Sequence, residues 1–195
     1  MQTKPIEQFS KWLRNDLPKK PSWHVLLTAA SVLLCLLILP TRWPGMQLLG
    51  IGPNWLLIWV VAWSVKRTVW QGAIAGVILG MIQDSLTFAS PTHIVSLAIA
   101  GMLTARLQKQ RYLQEDFISI ALIVFAMAIL AETITALQFS VQELFSDFHV
   151  SNRSLAEIWA YHQRIALSSA ILSSLWAPVV YYPLNRLWER AGTGE

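Results

Sequence analysis

The chain has 195 residues, of which 54% are hydrophobic and only 13% charged, and its formal net charge is +4. A soluble domain averages about 25% charged residues, so this balance excludes an ordinary soluble domain. The lone cysteine, Cys35, excludes an internal disulfide, and no repeat, low-complexity tract or linker divides the sequence, which reads as one domain.

Residues 1–22 read as a cytoplasmic basic amphipathic segment. Ile6, Phe9, Trp12, Leu13 and Leu17 recur at helical intervals among Lys4, Lys11, Arg14 and Lys19, a pattern suited to an anionic lipid surface. The apolar run that follows lacks a small-residue cleavage site and is expected to be a retained helix. Uncharged intervals then fall at 25–41, 43–65, 68–83, 85–105, 117–131 and 165–185. Several approach the roughly 20 residues that cross a bilayer core. The expectation is an all-α integral membrane protein with about six transmembrane helices between residues 23 and 188, and a cytoplasmic tail at 189–195.

The second interval carries Pro44, Gly45, Gly50, Gly52 and Pro53, so its regular part is expected at 53–65, about 20 Å long. That is less than the ~30 Å core and implies a kink, an earlier start or a broken segment. The third places Gly72, Gly76, Gly80 and Asp84 at four-residue intervals, which on a helix form one bare groove ending in a carboxylate. Small residues so spaced let a second helix approach closely, whether from this chain or from a partner. The fifth continues past Glu132, a membrane-embedded charge that calls for a partner. An external segment near 141–162 follows, where Ser151 or Asn152 is placed to cap a short helix bearing Leu155, Ile158 and Trp159.

Loop charges orient this arrangement. With an inside N-terminus, Lys4, Lys11, Arg14, Lys19, Lys20, Lys66, Arg67, Arg106, Lys109, Arg111, Arg186 and Arg190 lie inside, and only Arg42, Arg153 and Arg164 outside. The bias predicts two cytoplasmic termini. Trp23, Trp43, Trp70, Trp176 and Trp188 fall near span ends, as interfacial anchors do. In this orientation Asn54, Asp84, His93 and Glu132, from four helices, share the depth of the outer leaflet and form a candidate polar cluster. Helix caps at the outer interface would produce the same distribution.

Catalytic chemistry has little support. There is no Gly-x4-Gly-Lys-Ser/Thr loop, no His-Glu-x2-His, no clustered Cys/His set, and no motif for reading nucleic acid. No catalytic residue, metal or cofactor is expected.

The run GAIAGVILGMIQDSL resembles the glycine-ladder and aspartate signature of the rod shape-determining protein MreD family, and Pro53-Asn54 resembles that family's Pro-Asp or Pro-Asn element. Chain length, basic N-terminus and six apolar segments agree across nearly the whole sequence. The resemblance implies a non-enzymatic subunit of the bacterial elongation machinery in the inner membrane. Its expected partner is MreC, with MreB, RodA and a class B penicillin-binding protein as indirect partners, and membrane lipid around it. It also implies a fold resembling the substrate-binding S-components of energy-coupling-factor vitamin transporters. That likeness supplies the alternative function, a small-molecule transporter component with the outer polar cluster as its ligand pocket. Against it, the first helix offers a coupling subunit only Ala29, Ala30 and Ser31 as small contacts.

Overall fold

A computed structural model of the chain describes residues 23–39, 41, 46–87, 91–109, 116–145 and 155–192. The expected amphipathic segment at 1–22 and the capping positions Ser151 and Asn152 lie outside them. The described residues form six helices: α1 (Trp23–Ile38), α2 (Trp55–Ser64), α3 (Val69–Thr87), α4 (Ile94–Lys109), α5 (Phe117–Phe145) and α6 (Leu155–Gly192). Three of these helices, α3, α5 and α6, are long and apolar enough to cross a membrane, and the other three are shorter apolar helices. Large apolar side chains point outward around the bundle, including Leu33, Leu122 and Leu175, each more than half exposed. Water would not tolerate so wide an apolar surface, whereas hydrocarbon matches it. The protein is an all-helical membrane protein.

The shortest helix is the central post. All but one of the ten residues of α2 are buried, as its uniformly apolar sequence WLLIWVVAWS requires. The other five helices stand around it in the order α1, α6, α5, α4, α3, each touching its neighbour and α2. The ring is open, because no Cα of α1 comes within 8 Å of α3.

α2 resolves the question raised by its proline- and glycine-rich approach. A tight turn at 48–51, with mutual backbone bonds between Leu48 and Ile51 of 2.9 and 3.0 Å and positive φ at Leu49 and Gly50, leads into an extended stretch. Asn54 then starts the helix, its side chain accepting the Leu57 N–H at 3.0 Å. Pro53 thus stands just before the cap rather than in the first turn. A ten-residue helix rises only about 15 Å, and the turn that leads into it is exposed, with Leu49 at 80%.

Tryptophans pack the post. Trp59 donates to Ser31 Oγ at 2.9 Å, stacks on Trp63 and meets the edge of Trp188, while Trp55 lies 5.7 Å from Trp176. Trp176 and Trp188, expected as interfacial anchors, are both partly buried against the core. Trp70, 80% exposed, faces outward as an anchor does.

The last helix differs most from expectation. Instead of a short external helix followed by a span, 38 residues run unbroken from Leu155 through Pro178 and Pro183. At 1.5 Å per residue α6 is about 57 Å long and α5 about 43 Å, so this antiparallel pair extends well past a ~30 Å core. Small buried side chains on α6, Ser168, Ser169, Ala170, Ser173 and Ala177, let it lie close to its neighbours.

Candidate functional site

The glycine groove is filled from within the chain. A Cβ added at Gly72 would stand 2.5 Å from the Gly101 carbonyl oxygen, and one at Gly80 would stand 2.5 Å from Ile94 Cα. At Gly76 it would collide with the Leu97 carbonyl. Gly101 answers from α4, where a Cβ would strike the backbone of Gly72. Antiparallel α3 and α4 therefore touch backbone to backbone along the whole ladder, and the partner helix for which the groove was a candidate seat is the chain's own α4.

Asp84 continues this seam by one more turn. Its carboxylate accepts the His93 backbone N–H at 2.8 and 3.1 Å, and His93 Nδ1 lies 2.8 Å away. His93 immediately precedes α4, and its carbonyl accepts the Leu97 N–H of the first turn. A carboxylate from α3 thus caps the N-terminus of α4, where unsatisfied donors and the helix dipole favour negative charge. Both side chains are largely buried, at 15% exposure for Asp84 and 27% for His93.

The four candidate polar residues contact three different places. Asp84 and His93 meet each other. The Asn54 backbone N–H donates to Ser173 Oγ of α6 at 2.9 Å, while its side chain caps α2. Glu132 faces His162 across α5 and α6, with Oε2 3.6 Å from Nδ1, beyond hydrogen-bonding reach.

The surroundings of Glu132 and His162 are unlike those of Asp84. His162 is 92% buried, its ring lies near Phe139 and Tyr161, and its Nδ1 has no hydrogen-bond partner among the described residues. Beside the pair a cavity of about 370 Å³ opens between the helices, lined also by Thr133, Trp159 and Gln163. Beyond it the hairpin bears exposed apolar residues: Phe145 at 84%, Leu144 at 68% and Tyr161 at 55%. Among the described residues no group of three or more His, Cys, Asp or Glu is placed to hold a metal.

His162, Ser173 and Gly101 were not singled out in the sequence. Each is given meaning by a contact at least 29 positions away. Only Glu132 carried a signal, as a charge that needed a partner.

The model of the family described as rod shape-determining protein MreD matches residues 20–184. The chain belongs to the MreD family. Comparison with curated proteins and with solved structures gives no match. Membership over most of the chain, with the apolar helices, makes this a rod shape-determining membrane protein. The MreD match takes in the ladder, Asp84, His93, Glu132 and His162, and stops just short of Asn185.

Proposed function

We propose that the chain is a non-enzymatic, multi-pass subunit of the bacterial elongation complex, with both termini in the cytoplasm. It binds MreC and helps couple MreB filaments to lateral peptidoglycan synthesis by RodA and a class B penicillin-binding protein. Family membership carries the reading. The geometry supports one mode of binding. With the glycine groove occupied by α4, a surface that remains for a partner is the outer end of α5 and α6, where Leu144, Phe145 and Tyr161 are exposed. A juxtamembrane segment of MreC that buries these side chains would gain on the order of 1.5–3 kcal/mol for each large one fully covered.

Depletion tests the role. Cells should become round and wall synthesis diffuse, and MreC should co-purify with the tagged protein. Fusions after Glu195 should report the cytoplasm and fusions near Asn152 the exterior, in keeping with the charge bias.

One observation supports the alternative. The cavity beside Glu132 and His162 is mostly apolar with a few convergent polar groups, as small-ligand sites are and as an S-component-like fold would use it. A vitamin released from purified protein, with normal cell shape and defective uptake on depletion, would replace the first reading with this one.

A further inference from the structure

The open side of the ring deserves a chemical reading of its own. Between α1 and α3 runs a groove of about 820 Å³, floored by Trp59 and Trp63 of the central post. Its walls are apolar, and Leu33, Ile74 and Ile78 on its sides are each more than half exposed. Among the described residues no acidic residue lines it. Besides Thr28 of α1, its polar residues are Arg67 and Gln71 of the α2–α3 corner, at the border that the charge bias assigns to the cytoplasm.

Two neighbouring cations are used differently there. Lys66 reaches Glu189 of α6 at 2.7 Å. Arg67 lies over the Trp63 ring, 5.2 Å from its centroid, and among the described residues no carboxylate is within ion-pair distance. The indole face holds the guanidinium at the mouth of the groove with its donors available. An apolar trough along the bilayer with one fixed positive charge at its end complements an amphiphile with one anionic head and long apolar tails.

We propose that the α1–α3 groove is a specific seat for an anionic phospholipid of the inner leaflet, with its phosphate on Arg67 and an acyl chain against Trp59, Ala75 and Ile78. The leaflet rests on the orientation proposed above, and the site itself does not. Basic positions between helices at the cytoplasmic border are where anionic head groups bind. The lipid would close the ring and cover the one side on which the central post lacks a neighbouring helix.

The test uses the full-length protein in nanodiscs of phosphatidylcholine doped with phosphatidylglycerol bearing a photoactivatable acyl chain, and crosslinked peptides are mapped. Crosslinks should concentrate on α1 and α3, with about a fivefold preference over a phosphatidylcholine probe of the same tail. Arg67→Gln should remove the preference, Arg67→Lys should retain most of it, and Arg106→Gln, at the inner end of α4, should leave it unchanged. Ala75→Phe, which fills the trough, should abolish groove crosslinks for both probes, with retained thermal unfolding confirming the fold. Equal labelling by the two probes, or labelling of Leu122 and Leu175 as strong as that of Ile78, would overturn the proposal. So would loss of groove labelling when MreC is co-assembled, since that would assign the groove to a helix. Cell shape does not enter the experiment, so its failure leaves the elongation-complex reading standing.

Discussion

The hairpins α3–α4 and α5–α6 each join two antiparallel helices and each contain a carboxylate facing a histidine, yet they are built to opposite ends. In α3–α4 the helices touch through Gly72, Gly76, Gly80 and Gly101, and Asp84 is consumed in capping α4. In α5–α6 the pair Glu132 and His162 stays 3.6 Å apart beside a cavity, and the helices run on past the bilayer core. Backbone contact leaves no room for a ligand and makes a rigid unit. Side-chain spacing leaves unsatisfied polar atoms and exposed apolar surface. The most recognisable sequence feature therefore marks the part that holds the protein together, and the less recognisable hairpin carries the surface that we propose for a partner.

The largest expected effect is at the seam. Gly76→Ala or Gly101→Ala puts a methyl into backbone and should cost about 3 kcal/mol or more, the upper end of overpacking. Thermal unfolding in detergent should show both variants strongly destabilised, while Ile78→Leu, on the exposed face, stays near the parent. A Gly101→Ala protein as stable as the parent would break the claim that the ladder's partner is α4.

Asp84→Ala comes next. Loss of a helix cap should cost about 1–2 kcal/mol, and Asp84→Asn should be milder because its amide oxygen still accepts the His93 N–H. Should both variants unfold like the parent yet fail to support rod shape, Asp84 would belong to function rather than to the seam, and the contrast between hairpins would need redrawing.

Glu132→Gln should change stability by less than about 1 kcal/mol, since no hydrogen bond to His162 is lost at 3.6 Å. Its signature should be weaker MreC recovery on affinity purification. Lys66→Gln should have the smallest effect on thermal unfolding, because its bond to Glu189 joins two exposed side chains.

Much of this contrast was legible before the fold, and the rest follows from what a linear pattern can carry. Six helices were readable because long uncharged intervals have one outcome in lipid. The length of α6 was not, since Glu157 and Arg164 ended the apolar interval although they are exposed on a helix that continues through them. The ladder was readable as a groove, but its occupant was hidden in a single glycine of α4. Asn54, Asp84, His93 and Glu132 were placed at one depth, and depth carries no information about rotation around each helix axis. That rotation pairs Glu132 with His162 and Asn54 with Ser173.

On the proposed reading the outer end of α5–α6 is the working surface and α3–α4 is scaffold. That reading is tested most directly by replacing Phe145, 84% exposed, with glutamate and scoring cell shape and MreC recovery at matched protein levels. A folded Phe145→Glu protein that leaves cells round and no longer retains MreC is the predicted result. Rod shape restored with MreC still bound would contradict the account.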